Sequence, residues 1–349
     1  NYSFRNDAAS SDTTFRLSGT ITNASTTTTP LILRGANTGS NTISGNIGET
    51  NSSLLILTKE DAGTWILTAS NSYAGGTVIN SGLLAIANNN ALGTGTVTIN
   101  GGTLANSSGA GKTIANNVVF GGNAALGGSP GGASLTINGT TDLGGATRTI
   151  TMSNSVTFAG VVSNGGLVID ASAANRRLTF TADNTYSGGT AVTAGVLLVN
   201  NTNGTGTGSG AVTVASNAVI GGSGIIGGDL VLSDGALFAF DTSYTLTLNG
   251  LLTIAPTFGV NSLRTTSGGN IDWASILDGT YTLLETSFVF DDLNIGNFGP
   301  DNAQDIGEGR SAYFTDGSLV LNVIPEPSTY ALLALAASAL GARLLRRRR

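Results

Sequence analysis

Few residues of this 349-residue chain are equipped for chemistry, because it contains neither histidine nor cysteine. That excludes a Ser-His-Asp triad, a cysteine nucleophile, Cys/His zinc sites, haem or iron–sulfur ligation and disulfides. A metal would have oxygen ligands alone. The lysines are Lys59 and Lys112, and adjacent carboxylates occur at Glu60-Asp61 and Asp291-Asp292. Polysaccharide lyases and hydrolases built on β-helices need clustered carboxylates, often with Ca²⁺, and a Lys or Arg base. Neither acidic pair has such a partner set, so a polysaccharide-active enzyme ranks second to a non-catalytic role, and no catalytic residue, metal or cofactor is expected.

Two glycine patterns mimic nucleotide sites. Gly109 to Thr113 ends like a phosphate-cradling loop, but the first glycine of that motif falls on Asn106 and the following text is β-rich. Gly222, Gly224 and Gly227 match the dinucleotide spacing, yet Leu230-Val231-Leu232 continues as a strand, leaving no helix N-terminus for a pyrophosphate. Both read as turns. Residues 1–342 carry 10 basic and 21 acidic groups, a net charge of −11, which disfavours nucleic acid as a partner.

The elements available to position any site are short. Apolar runs such as Val97 to Ile99, Leu135 to Ile137 and Leu230 to Leu232 are separated by Gly, Asn, Ser and Thr, with Asn-Gly turns at Asn100, Asn138, Asn164 and Asn249. Run length and β-branching predict strands. The segment NSYAGGT at Asn71 to Thr77 recurs further along the chain as NTYSGGT at Asn184 to Thr190. Within each copy, apolar residues recur about every 20 positions: Ile66/Ile86, Val78/Val97, Leu84/Leu104, Leu178/Leu198, Val192/Val212 and Leu197/Val219. This spacing predicts a right-handed parallel β-helix of about 20 residues per coil, with stacked aliphatic ladders inside and glycine at the corners. An antiparallel sandwich does not generate such a register. At ~4.8 Å per coil the rod would be roughly 60 to 70 Å long.

Thr-x-Thr pairs at Thr96/Thr98, Thr147/Thr149/Thr151, Thr179/Thr181 and Thr245/Thr247 raise ice or surface binding as a third function, but the intervals between their starts are unequal and are not all multiples of the coil period, so they do not make one regular ladder. Tyr73 and Tyr186 recur beside Gly-Gly, where packing over glycine backbone is favoured over a sugar-stacking platform. The solenoid is assigned to residues 1–254, with its clearest copies at 63–104 and 177–220. Residues 255–323, which hold 8 of the chain's 21 aromatics, are assigned to an atypical terminal cap over an otherwise open core.

Residues 324–349 differ again: Ile324-Pro325-Glu326-Pro327-Ser328, then an apolar stretch, then Arg343 and Arg346 to Arg349. Tyr330 to Leu345 predicts a helix of about 24 Å, slightly short for a bilayer core, with Arg343 snorkelling and the terminal arginines Arg346, Arg347, Arg348 and Arg349 retained in the cytoplasm. The chain begins at Asn1 with no leader, so export would require a signal peptide outside this sequence.

Pro325-Glu326-Pro327, a short hydrophobic helix and an Arg cluster together resemble the PEP-CTERM sorting signal of Gram-negative bacteria. GTWILTASNSYAGGTVINSGLLAI at Gly63 to Ile86, ALGTGTVTINGGTL at Ala91 to Leu104 and LTFTADNTYSGGTAVTAGVLLV at Leu178 to Val199 are similar to the autotransporter-associated β-strand repeat. These resemblances imply an exported protein, held in the cytoplasmic membrane through 330–345 until an exosortase-type protease processes it near Pro325 to Ser328, and associated with exopolysaccharide. The membrane β-barrel that ends autotransporters has no counterpart in these residues, which speaks for tail-directed sorting over self-translocation. The reading is a surface-associated structural or adhesive rod.

Overall fold

The computed structural model describes residues 2–50, 54–128, 133–286, 295–315 and 319–326. It is an all-β parallel solenoid of about 11 turns. The helical content among the described residues is three short 3₁₀ turns, Val260–Ser262, Trp273–Ser275 and Pro300–Asn302. The expected C-terminal helix lies outside the described residues.

Each turn contributes to three faces. The first stacks Tyr2–Arg5, Thr29–Arg34, Leu55–Lys59, Thr77–Ile79, Val97–Ile99 and Val118–Phe120. The second carries Thr64–Leu67, Leu83–Ile86, Thr103–Asn106 and Ala124–Gly128, and after two long strands continues with Thr190–Val192, Val212–Val214, Leu230–Leu232 and Leu252–Ile254. The third runs from Lys112–Ile114 through Leu135–Ile137, Val156–Phe158, Arg177–Phe180, Val196–Val199, Val219–Gly222 and Leu237–Ala239 to Leu263–Arg264. The long strands Thr141–Met152 and Val162–Ala171 pass round one corner and fuse the first two faces into one 18-stranded sheet.

The predicted period holds on average, but the register differs. Leu84 does pair with Leu104. The other five spacings slip by one or two residues: Ile66 pairs with Ala85, Val78 with Thr98, Leu178 with Leu197, Val192 with Val214 and Leu197 with Ile220. Neighbouring apolar residues make several registers look alike, and a one-residue slip exchanges the inner and outer sides. The coils are unequal in length, from the short step between Val212 and Leu230 to the long ones between Tyr2 and Leu31 and, at the far end, between Leu246 and Leu284, and the excess is looped outside the stack. With about 11 turns the stack is roughly 50 Å long, shorter than the sequence estimate.

Inward positions form the core. One column reads Trp65, Leu84, Leu104, Leu126 and Met152, all with no exposed surface. Another reads Leu33, Lys59, Ile79, Ile99 and Phe120. Lys59 is therefore a fully buried cation in an aliphatic column. Its stem stacks like a hydrocarbon, and its Nζ donates to the carbonyls of Glu60 (2.6 Å), Asp61 (2.7 Å) and Ser81 (3.2 Å). Burial lowers its pKa to about 8, against the opposing attraction of Asp61 and Glu60.

At the far end the stack changes character through one strand. Gly279–Thr286 lies parallel to Leu246–Leu248 along Leu284 to Thr286, and antiparallel to Leu319–Pro325. Arg310–Thr315 and Gln304–Gly307 extend this antiparallel sheet. Phe258 packs on Phe314, and Phe240 on Tyr281 and Trp273, with centroid separations of 5.9, 5.5 and 6.4 Å. The chain after Arg264 folds back over the outside of the third face: a Cβ on Gly268 would lie 2.7 Å from the Ala174 carbonyl and 3.2 Å from Val196 Cγ2. The outward residues Val196, Leu198, Val219 and Ala239 form a separate buried cluster there.

The lysine gives a test. Between its folded pKa of about 8 and the unfolded value of 10.5, unfolding takes up a proton, so raising pH through this window stabilises the fold. The difference in unfolding free energy between the wild type and Lys59→Met, measured by chemical denaturation, is expected to be constant below pH 8 and to shift in favour of the wild type from there towards pH 10. A difference that stays flat or moves the other way contradicts the buried, protonated lysine.

Candidate functional site

The recurring Asn-x-Tyr-x-Gly-Gly-Thr segment is the most distinctive local structure. Asn71 is buried at a corner; its Oδ1 accepts from Ile47 N–H in the coil below (2.8 Å) and its Nδ2 donates to the Ala91 carbonyl in the coil above (2.6 Å). Asn184 repeats both bonds, accepting from Val162 N–H (2.7 Å) and donating to the Gly206 carbonyl (2.6 Å). Each side chain spans three successive coils. Tyr73 and Tyr186 turn into the core with no exposed surface, and their hydroxyls share hydrogen bonds with Thr77 Oγ1 (2.8 Å) and Thr190 Oγ1 (2.6 Å). Burial pushes both phenols well above the usual range despite these bonds.

The two glycines divide the corner between them. A Cβ on Gly75 would meet the Leu55 carbonyl of the coil below at 2.4 Å, and one on Gly76, at φ +90°, the Thr96 carbonyl above at 2.6 Å. Gly188 and Gly189 stand in the same relation to Gly165 and Ala211. Only a residue without a side chain fits between coils at this spacing. Buried Tyr73 and Tyr186 therefore offer no sugar platform.

A family model described as the passenger-associated-transport repeat matches residues 57–86 and 177–199, which contain these two corners. A second, the PEP-CTERM protein-sorting motif, matches residues 323–349. The chain carries both signatures. It is also similar to the adhesin BmaC autotransporter of Brucella suis biovar 1 (strain 1330), with 43% identity over 81 residues, 22% of this chain. The chain spans only 2% of that relative's length. No solved structure matches. A passenger-type repeat and a sorting motif together support an exported protein of the cell envelope or surface, and neither model describes a catalytic domain.

The passenger repeats do not occupy equivalent places in the rod. In the first copy Thr64–Leu67 lies on the second face and Thr77–Ile79 on the first. In the second copy the corresponding Arg177–Phe180 lies on the third face and Thr190–Val192 on the second. The interval between the copies is a whole number of coils plus one face, so the tyrosine corner has moved round to the next edge.

The remaining chemical candidates are absorbed by the fold. Lys59 is spent on carbonyls, Glu60 pairs with Arg34, and Asp61 accepts from Gly35 N–H (3.0 Å). Lys112 and Thr113 belong to a strand. Gly222, Gly224 and Gly227 are corner residues whose added Cβ would come within 2.3 Å of atoms of the preceding coil. Asp291 and Asp292 lie outside the described residues, as do the cap aromatics Phe288 and Phe290. Among the described residues no group of three or more acidic side chains could hold a metal ion.

One surface feature was not foreseen. The Thr-x-Thr pairs do not stack: Thr98 lies between Val78 and Val119, and Thr247 between Ile225 and Glu285. Instead the central outward positions of the third face bring Thr113, Thr136, Thr157 and Thr179 into one register column. The column continues as Leu198, Gly221 and Ala239, where the back-folded chain covers it. The threonines begin where the cover ends. Their near-even spacing was visible in the sequence but had no meaning without the strand register.

Of the sorting residues, Pro325 ends the strand Leu319–Pro325 and Glu326 follows it. Pro327, Ser328 and the arginines Arg343, Arg346, Arg347, Arg348 and Arg349 lie outside the described residues, as does 330–345. Among the described residues no helix is long and apolar enough to cross a membrane.

Replacing either corner asparagine orphans a backbone donor and an acceptor in adjoining coils, at about 1–3 kcal/mol per group. Asn71→Ala and Asn184→Ala are each expected to cost roughly 2–6 kcal/mol in denaturant unfolding, and Tyr73→Phe about 1 kcal/mol. Equal, small losses for all three contradict the clamp.

Proposed function

We propose that the protein is a structural or adhesive rod of the bacterial surface, exported, held at the cytoplasmic membrane through 330–345 with Arg343 and Arg346 to Arg349 on the cytoplasmic side, and processed near Pro325 to Ser328 by an exosortase-type protease. The processed rod resides in or on the exopolysaccharide layer. Residues 1–254 are the displayed solenoid and 255–323 its terminal cap. The observation that carries this reading is continuity: the parallel stack passes through one strand into an antiparallel sheet whose central strand, Leu319–Pro325, leads directly into the sorting motif at 323–349. A stacked body whose end is continued by an antiparallel sheet, rather than left as an open core, suits display in a protease-rich exterior. Similarity to an adhesin autotransporter supports the same role.

Fractionation of a producing cell tests it. The full chain is expected in the envelope fraction, and a chain truncated after Glu326 is expected in the medium or periplasm. Identical distribution of the two removes the tail's sorting role. Depleting exopolysaccharide enzymatically is expected to release the processed rod.

A second reading rests on the threonine column. Four outward hydroxyls from Thr113 to Thr179, at the ~4.8 Å step of parallel strands, present a regular array to an ordered surface such as ice. Thermal hysteresis that disappears in Thr136→Tyr and Thr157→Tyr supports it; none in the wild type rejects it.

A further inference from the structure

The sorting motif does not start where the fold stops. From Val320 to Val323 the last strand has a partner on each side: Val323 pairs with both Gly279 and Ala312, and Leu321 with both Tyr281 and Phe314. Beyond Val323 one neighbour is lost. Ile324 and Pro325 pair with Ser311 and Arg310 alone, and Glu326 N–H donates to the Gly309 carbonyl (2.8 Å). The loss of the second neighbour falls at the start of the matched sorting region, 323–349.

Arg310 fixes this one-sided stretch. It is 14% exposed, donates through its guanidinium to the carbonyls of Ile276 and Trp273, and lies 3.8 Å from both Asp278 and Glu308. It thereby ties the hairpin strand to the 3₁₀ turn Trp273–Ser275, which itself packs on Phe240. Proteases that take their substrate as an extended strand need its backbone donors and acceptors free. Residues from Val320 to Val323 offer none without dismantling the sheet, and Ile324 to Glu326 are open on one side only, the groups that face the hairpin being released only when that partner is peeled away, a local opening with its own free-energy cost.

We propose that this pairing sets the processing register: the folded body withholds Ile324, Pro325 and Glu326, so the cut falls C-terminal to Glu326, and Arg310 is the positioning residue that enforces it. The inference rests on the reading of the tail as a processing site and specifies where the fold permits it. The step is peptide hydrolysis: water adds to the carbonyl carbon on the body side, the C–N bond breaks, and the tail leaves as an amine while a carboxylate remains. The surface product then keeps every residue of the last strand, and the sheet stays complete after the anchor is removed.

The test is the intact mass of the surface form of the full-length protein, wild type and Arg310→Gln, from a producing cell, together with amide exchange at Glu326. The wild-type C-terminus is expected at residue 326 or beyond, with Glu326 N–H protected. In Arg310→Gln, protection at Glu326 is lost, and the termini spread upstream as far as Ile324 while stopping before Val323, where Gly279 still holds the strand. Arg310→Lys is expected to restore part of the protection, and the solenoid's unfolding midpoint, as a control, to remain that of the wild type. A wild-type terminus at or before Pro325, or unchanged termini in Arg310→Gln despite lost protection, overturns the register. A surface form that retains the whole tail overturns the underlying sorting reading, and the register with it.

Discussion

Where a parallel stack turns a corner the strand ladder is interrupted, and the backbone groups at the turn are enclosed by the coils above and below, away from water. Left unpaired, they would cost more than the aliphatic core returns over so short a strand. Buried asparagine resolves this, because its amide carries a donor and an acceptor in the same relation as a peptide group. Asn71 and Asn184 bridge three coils each. Asn116 donates to the carbonyls of Gly93 and Gly95 below it, and Asn201 accepts from Ile225 N–H above. The flanking glycines let the coils close to strand spacing, and the tyrosine–threonine pair fills the space behind the corner. The rest of the rod depends on these corners, since ladders can propagate along three faces only if each turn delivers the next strand at the right height.

Given such corners, the coils tolerate variation. Extra residues loop outward, as in the steps near Tyr2, or extend round an edge, as in Thr141–Met152, while inward columns remain in line. A lysine can occupy a column position when three carbonyls receive its charge. The outer side is freer still: one column is threonine where it meets solvent and aliphatic where the chain folds back upon it.

The architecture was legible in the sequence because strand length, glycine corners and a steady average coil period all follow from backbone geometry. Leu84 and Leu104 were placed together correctly, since each follows a corner glycine, Gly82 or Gly102, by two residues and is followed by alanine. Val192 and Val212 were not, because Thr190 is the residue that faces Val212, and nothing local distinguishes an inward threonine from an inward valine. The same ambiguity concealed the Thr113 to Thr179 column. The role of Asn71 and the tie between Arg310 and the carbonyls of Trp273 and Ile276 depend on groups far away along the chain, which a linear pattern cannot pair. The sorting motif was legible for the opposite reason: its parts are contiguous.

The displacement of the second passenger repeat by one face links the length of the rod to its orientation. A gene that gained or lost one such repeat interval would change the number of turns and also turn every downstream surface to the adjacent edge. Three additions would bring a surface back to its starting direction. A patch selected for contact on one side of such a rod can therefore be re-aimed by duplication alone, with no substitution inside it.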